Sequence, residues 1–308
     1  MLTFIFKKII ETIILIFIII FIVFTISHIL PGDPVSLMSN PEVSDITIKN
    51  IRIELGLDQN FIKQFIFFLK NIIHGNLGYS FISKKSVLEE ILPKFLNTFY
   101  LTIISIIIGS IIGILLGVLS CIKNNSNIDY IINIFTIAGI SFPPFIIGIL
   151  LIEFFSIKNN FISIYNNNYH IYILPAITLS ITIISIITRI TKISLQNIIK
   201  ENYICSARAN GISEWKIFIK YALRNAMIPI ITVIGLEFGF LLSGSITIEI
   251  IFNLPGMGRL LLDAIEMRDY PIIQASIILF SIEFILINII LDFIYRLINP
   301  KLKNKFII

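Results

Sequence analysis

The sequence has few charged residues for its length. Asp, Glu, Lys and Arg make up 14% of the 308 residues, whereas about a quarter of an ordinary soluble domain is charged. Hydrophobic residues make up 56% of the chain. This shortage of charge argues against a soluble protein, and it predicts an all-α, polytopic membrane protein whose helices face lipid.

Several motifs that carry chemistry are also missing. The two cysteines, Cys121 and Cys205, form no C-x-x-C pair. The three histidines, His28, His74 and His170, lie in different segments without a second ligand three or four residues away. No G-x-x-x-x-G-K-[ST] loop is present to hold a nucleotide. The sequence therefore predicts no enzyme, metal site or cofactor, and it assigns any ATP hydrolysis to a separate subunit.

Six apolar stretches are long enough to cross a bilayer, which needs about 20 residues of helix. The first stretch could be a signal peptide, but its apolar run is too long and no small-x-small cleavage site follows it, so we expect a retained helix. The six predicted spans are Ile9–Leu30, Asn97–Ile122, Tyr130–Ser156, Tyr172–Ile193, Ala226–Ile250 and Ile272–Tyr295.

Basic residues predict the orientation of these spans. If the amino terminus is cytoplasmic, the inner segments hold 14 of the 24 lysines and arginines, and the two short outer loops hold three. The other seven lie in segment 31–96, beside seven acids. Both termini are therefore expected in the cytoplasm. Because the net charge of +5 is spread along segments that flank the bilayer, it indicates contact with lipid and not with nucleic acid.

The largest cytoplasmic segment, residues 194–225, combines basic residues with small ones. We expect a short helix over 197–210 that ends at Gly211, followed by a second helix capped by Ser213. A positive-inside anchor would explain the basic residues, whereas small side chains would let the backbone of a partner approach closely. The residues alone leave anchoring and docking as equal alternatives. The central group is Ser206, Ala207, Arg208, Ala209 and Gly211.

This segment resembles the EAA loop of binding-protein-dependent ABC importer permeases, through "ARANG" at 207–211 and "ALRNAMIP" at 222–229. One position departs from the pattern, since Cys205 stands where the first glutamate of that loop would be. The other motifs that carry the resemblance follow in order along nearly the whole chain. They are "LPGDP" at 30–34, "LGLDQ" at 55–59, "GNLGYS" at 75–80, "GISFPPF" at 139–145, "FNLPGMGR" at 252–259 and "RDYP" at 268–271.

The resemblance is to the first, B-type permease subunit of the dipeptide/oligopeptide/nickel group. It implies the type I importer permease fold (MetI-like) in a bacterial inner membrane. It also implies a second permease subunit, two ATPase subunits and an extracytoplasmic solute-binding protein as partners. In this family the EAA loop forms a coupling helix seated in a groove of the ATPase, so the central group named above would perform the coupling here.

Three domains are expected: an N-terminal tail and first transmembrane helix (1–30), an extracytoplasmic helical cap (31–96) and a five-helix permease core (97–308). In the cap, helical periodicity covers Ile46–Leu55 and Asn60–Ile73. The last outer loop contains a turn, an amphipathic helix over Arg259–Met267, and an acid placed to cap the final span. The candidate docking or gate residues are Asp33, Pro255, Gly256, Gly258, Arg268 and Asp269.

The translocation path is predicted at polar and broken positions within the spans. Pro143 and Pro144 should break the third span. Because irregular backbone survives in a membrane only where protein or water covers it, such a break often marks the translocation path. Glu237 and Glu283 lie deep in their spans and could line a path for cationic cargo. Acids nearer the span ends, such as Glu249, are expected to reach towards the interface.

The rival hypothesis is an ion-coupled secondary transporter or channel that acts without an ATPase. Such a protein usually contains internal repeats, and no motif occurs twice in this sequence. A non-transporting membrane scaffold is a weaker alternative. The cargo is open between a peptide and nickel or a metallophore, with the short outer segment 157–171 slightly favouring the nickel type.

Overall fold

A computed structural model describes residues 2–29, 59–158 and 169–298 of the chain. Helices dominate these ranges, with π-helical segments at Glu153–Lys158 and Ile217–Leu223 (the latter within α8) and a 3₁₀ turn at Tyr169–Tyr172. The helices are α1 Leu2–Ile29, α2 Phe61–Ile73, α3 Val87–Ile122, α4 Asn127–Ser141, α5 Pro144–Ile152, α6 Ile173–Ile199, α7 Asn202–Ala209, α8 Glu214–Leu242, α9 Ile246–Ile251, α10 Met257–Glu266 and α11 Tyr270–Ile298.

Five of these helices (α1, α3, α6, α8 and α11) are long and apolar enough to cross a bilayer, and the bent pair α4–α5 supplies the sixth span when counted as one. The pair is bent by 100°. Phe142 and Pro143 each precede a proline, and both adopt extended backbone, with ψ of 126° and 134°. The ring of a proline disfavours helical backbone in the residue before it, so two consecutive residues leave the helix and the predicted break is confirmed.

The second and fifth predicted spans do not match the ends of the observed helices; the fifth lies in a helix that already begins at Glu214 and not at Ala226. The second span belongs to a helix that begins at Val87 and not at Asn97; its first turn carries Glu89 and Glu90, which a helix amino terminus favours. The fifth helix ends at Leu242 and not at Ile250. Gly244 then adopts a φ of +94°, which closes the turn before α9.

Of the two helices predicted in the extracytoplasmic cap, the one after Asn60 is observed, and Ile46–Leu55 lies outside the described residues.

The chain divides into two compact units. The first contains Met1–Asn97 and Pro255–Ile285, and the second contains Thr98–Leu254 and Leu286–Ile308. In the first unit, α1 packs on α2 through aromatic side chains that surround Phe65, and the start of α3 packs on α10 around Val87 and Met257. The core of the second unit gathers around α6, whose inward side chains include Ile183 and Ile187.

Close packing of α3 on α6 depends on glycines that recur every fourth residue. A Cβ added at Gly113 would lie 2.8 Å from the Ile187 Cβ and 3.1 Å from the Ile184 carbonyl oxygen. Thr188 Oγ1 donates a 3.2 Å hydrogen bond to the Gly113 carbonyl across this contact. Small residues allow such approach where lipid provides no hydrophobic drive between helices. The facing pairs are Gly109 with Ile183, Gly113 with Ile187, and Gly117 with Thr191.

Candidate functional site

The predicted coupling segment begins with a break between α6 and α7. One helix was predicted over 197–210, but α6 continues to Ile199 and α7 starts at Asn202. Glu201 separates them with extended backbone (φ −70°, ψ 145°) and makes no side-chain cap. The segment is therefore a separate two-turn helix that can take its own direction from the span before it.

Gly211 ends α7 as predicted, with a left-handed φ of +73°. Its N–H donates to the Arg208 carbonyl at 2.9 Å, and the next N–H, from Ile212, donates to the Ala207 carbonyl at 3.2 Å. These two bonds form a Schellman motif, which satisfies carbonyls that a helix end leaves open. The turn fixes the direction in which the chain leaves α7 towards α8.

A small apolar cluster supports this turn from beneath. It contains Ile204, Ala207 and Ile217, with Ile212 and Tyr221 at its edge. The Ala207 side chain is only 7% exposed, so it packs inward within its own loop. The other small residues, Ser206, Ala209 and Gly211, are exposed and form the accessible face of the group.

An ion pair joins α7 to the start of α8. Arg208 donates from Nε to Glu214 Oε1 at 2.6 Å and from its second terminal nitrogen, Nη2, to Oε2 at 3.1 Å. This hydrogen bonding lowers the pKa of the Glu214 carboxyl and raises that of the Arg208 guanidinium. Ser213 occupies the N-cap position but makes no side-chain cap bond, so the predicted hydroxyl cap is wrong.

Trp215 is an exposed aromatic that the sequence prediction did not place at the site. Its side chain is 70% exposed, and Ile219, one turn further along α8, is exposed on the same helix face. A large apolar pair left in the open beside the loop is typical of a surface that another protein covers. The signal was present in the sequence, since Trp215 is the only tryptophan of the chain.

The candidate path residues fall in different parts of the chain. Pro143 and Pro144 lie at the α4–α5 bend, and Glu237 is half-buried on α8 of the second unit. Glu283 lies on α11 in the first unit and is 8% exposed; both of its carboxyl oxygens are buried without a hydrogen-bond partner among the described residues. A buried carboxyl in this state is costly unless it is neutral or becomes paired.

Glu249 does not reach towards the interface as predicted. It is fully buried on α9, and its Oε1 accepts a 2.9 Å hydrogen bond from Thr98 Oγ1. The α9 helix is only six residues long and follows the turn at Gly244, and it buries Ile248 and Glu249 in the second unit instead of continuing the span. Glu153, by contrast, is exposed and lies 3.5 Å from Lys158 Nζ.

The last outer loop forms the predicted short helix, observed as α10. Gly256 and Gly258 are buried, whereas Pro255 and Arg268 are exposed. Arg268 ends α10 with a left-handed φ of +57°. Asp33, the remaining docking candidate, lies outside the described residues.

Asp269 is the residue before α11, where a helix cap was predicted, and its buried carboxylate has partners far away in the sequence. It accepts hydrogen bonds from Ser80 Oγ at 2.5 Å and from the Phe81 N–H at 3.1 Å. Ser80 and Asp269 belong to two of the motifs recognised in the sequence, 189 positions apart. The first unit therefore brings these motifs together through a buried carboxylate.

Two of the three histidines, His28 and His74, have hydrogen-bond partners within the first unit. His28 contacts the Phe24 carbonyl oxygen through Nδ1 at 2.9 Å and Gln64 Oε1 through Nε2 at 2.8 Å. The Nδ1 of His74 lies 2.7 Å from the Lys70 carbonyl oxygen. Both rings are thus held in place by hydrogen bonds in the first unit.

Family models match almost the entire chain. Residues 109–304 match the model described as "Binding-protein-dependent transport system inner membrane component", and residues 1–102 match the corresponding N-terminal model. The methionine ABC transporter MetNI, solved in inward-facing conformations, contains a similar fold: one chain gives a TM-score of 0.54 at 19% identity, covering 69% of this chain and 97% of that one.

Curated relatives extend the match to full length. The glutathione transport system permease protein GsiC from Escherichia coli O6:H1 is 42% identical over 306 residues, covering 99% of this chain and 100% of that protein. The GsiC proteins of Escherichia coli K12 and Shigella flexneri serotype 5b give the same identity and coverage. The chain therefore belongs to the inner membrane components of binding-protein-dependent transport systems, as a dipeptide/oligopeptide-type permease subunit of an ABC importer.

Proposed function

We propose that this subunit forms half of a transmembrane translocation path and is driven by two partner ATPases through the loop 194–225. The observation that carries the proposal is the construction of α7. Its turn is held by the Schellman bonds at Gly211 and by the Arg208–Glu214 pair, while Ser206, Ala209 and Trp215 remain exposed. A rigid, exposed surface of this kind can bind an ATPase and transmit its movement to the spans.

A protein partner accounts for Trp215 better than the lipid interface does, although tryptophan is enriched there. The predicted apolar part of α8 starts at Ala226, eleven residues later. At the α-helical rise of about 1.5 Å per residue this places Trp215 up to roughly 16 Å from it, and the π-helical part Ile217–Leu223 shortens that length somewhat. The headgroup layer is only about 5–8 Å thick on each side. Lys216, Lys220 and Arg224 fill the intervening length, so Trp215 lies in the aqueous region.

The proposed assembly contains a second, pseudo-symmetric permease subunit, two ATPases and an extracytoplasmic solute-binding protein. Both termini and the loop 194–225 lie in the cytoplasm, which is supported by the 14 basic residues of the inner segments against three in the short outer loops. The mechanism is alternating access, in which ATPase closure and release bias the spans between outward and inward opening.

The proposed cargo is a small peptide. The curated relatives are named for glutathione, a tripeptide, and nothing in the comparisons supports the nickel alternative. A peptide carries an ammonium group that a half-buried acid such as Glu237 could pair with on α8. Glu283 is a second path candidate, and it requires the first unit to open before cargo can reach its carboxyl. The 157–171 segment that favoured nickel falls mostly outside the described residues.

Co-purification of the ATPase with Trp215→Ala tests the coupling surface. We expect the variant to insert normally, to lose most of the bound ATPase and to lose cargo-stimulated ATP hydrolysis in reconstituted vesicles. The reason is that a tryptophan that becomes buried on binding often anchors an interface. Tyr130→Ala is the matched control, since Tyr130 is 69% exposed but lies on α4. If both variants keep a full complement of ATPase, the proposed surface is wrong.

Uptake assays decide between the cargo alternatives and the rival mechanism. Vesicles containing the whole assembly should accumulate glutathione or a dipeptide only when ATP is hydrolysed. Uptake driven by an ion gradient without the ATPase would support the secondary transporter. Nickel uptake that peptides do not inhibit would contradict the peptide proposal.

A further inference from the structure

A buried ion pair lies at the same end of the second unit as α7. Lys192 Nζ is 2.5 Å from Asp129 Oδ1, and the two side chains are 15% and 7% exposed. The Asp129 carboxylate also accepts hydrogen bonds from Ser120 Oγ, the Asn125 N–H and Asn133 Nδ2. In the sequence, Lys192 counted only as one of the basic residues that predict orientation, and the structure shows that this lysine is paired inside the protein.

The pair connects three helices and one turn. Ser120 is in the last turn of α3, Asn125 lies in the turn that follows, Asp129 is in the first turn of α4, and Lys192 is on α6. Lys192 precedes the end of α6 at Ile199 by seven residues, or roughly 10 Å of helix. The chain then continues into α7, so the network binds α6 just before the proposed coupling helix.

The other end of α4 is also held against α6. A Cβ added at Gly139 would overlap Ser185 Oγ and would lie 3.4 Å from Ile181 Cγ2. Gly139 stands three residues before Phe142, where the 100° bend to α5 begins. Contacts at both ends therefore fasten α4 to α6 from the α7 end up to the broken part of the third span.

An ion pair is a poor choice for stability alone in this position. Removing two charges from water offsets much of their attraction, and well-packed apolar residues of similar size often stabilise a protein as well or better. What a buried pair with satisfied hydrogen bonds can provide is one defined arrangement of the elements that carry it. The four polar partners of the Asp129 carboxylate leave α4 with a single register against α6.

We propose that Asp129 and Lys192 are positioning residues that make α4 and α6 move as one body. When an ATPase displaces α7, the bend at Pro143 and Pro144 then moves with it, because α4 and α6 do not slide relative to each other. The inference rests on the proposed coupling role of α7, and it adds the connection between that helix and the broken span. Conformational changes of packed elements are transmitted through contacts that have discrete arrangements.

The test is the amount of cargo moved per ATP hydrolysed in reconstituted vesicles. The double variant Asp129→Asn/Lys192→Met removes both charges and keeps much of the lysine stem. The amide oxygen still accepts from the Asn125 N–H, and the Ser120 hydroxyl can turn to accept from the amide nitrogen. We expect it to insert, to retain its ATPase and to hydrolyse ATP, while cargo per ATP falls about fivefold or more, the lower end of typical coupling between sites. The single variant Lys192→Arg keeps a cation opposite Asp129, so its cargo moved per ATP should stay close to the wild-type value.

A merely structural role would lower uptake and hydrolysis together and leave their ratio unchanged, and that result overturns the proposal. If the double variant fails to insert, Lys192→Gln alone replaces it with the same readout and the same two outcomes. Failure of the proposed function looks different: the wild-type chain would bind no ATPase, and both proposals would then be rejected together.

Discussion

At the residue scale, Gly211 shows how one backbone angle prepares a surface. Its φ of +73° is one that L side chains rarely adopt, and nothing lies within 4 Å of where a Cβ would be. Substitution there strains the turn without filling occupied space. Gly75 offers the same geometry elsewhere, with φ of +74° and equally open surroundings, but it lies after α2 in the first unit.

Gly211→Asp and Gly75→Asp should therefore differ in function and not in strain. A non-glycine residue in left-handed backbone costs about 1–2 kcal/mol, so both variants should lower the free energy of unfolding by similar amounts. Only Gly211→Asp should release the ATPase, because it adds an anion to the exposed face of α7. Thermal unfolding and ATPase co-purification measure the two effects. If both variants retain the same amount of ATPase, Gly211 takes no part in docking and the loop serves only as a topology anchor.

Thr98 and Glu249 provide a second test at this scale. Thr98→Val should destabilise the protein by about 1–3 kcal/mol, because it withdraws a donor from a fully buried carboxyl group. Thr178→Val is the control, since that buried hydroxyl bonds only to the Leu174 carbonyl of its own helix. Thermal unfolding in detergent should separate them, and equal destabilisation would mean that the Thr98 bond adds nothing.

At the element scale, packing decides where helices begin, bend and touch. The glycines of α3 let it approach α6 closely, while the prolines after α4 turn the third span by 100°. The same glycine face holds α3 beside the helix that leads to the coupling segment. Helix contact in the second unit thus depends on the absence of side chains as much as on their presence.

Gly113→Val should force α3 away from α6. Its branched side chain would meet the Ile187 Cβ and the Ile184 carbonyl at less than ordinary contact distance, and such overpacking typically costs about 1–3 kcal/mol. Leu115→Val changes the exposed face of the same helix and should leave the unfolding temperature nearly unchanged. A Gly113→Val protein as stable as wild type would show that the helices can separate freely.

At the scale of the whole molecule, orientation in the membrane decides what each unit can meet. Cysteines placed at Asn76 and Asn210 report on it, because both positions are exposed. The background should carry Cys205→Ser, since Cys205 is exposed on α7 whereas Cys121 is buried. An impermeant thiol reagent should label position 76 and not position 210 in cells stripped of their outer barrier. The reverse pattern would place the coupling loop outside and contradict the proposed function.

Local rules allowed much of the fold to be predicted from the sequence. Long uncharged runs predict spans because a bilayer offers backbone groups no hydrogen bonds, so they must be satisfied within a helix. Proline predicts the break at Pro143–Pro144, and glycine predicts the end of α7 at Gly211, because both residues restrict or free a single backbone angle. The family followed from motifs whose order needs no coordinates.

Tertiary structure alone decided which of these residues face each other. Whether Lys192 pairs with Asp129 and whether Asp269 binds Ser80 depend on contacts between residues far apart in the chain. Glu249 was misplaced for the same reason: its depth follows from the turn at Gly244 and the Thr98 partner, not from its distance to a span end. A sequence states which groups are costly to bury, and only packing supplies the partners that make burial possible.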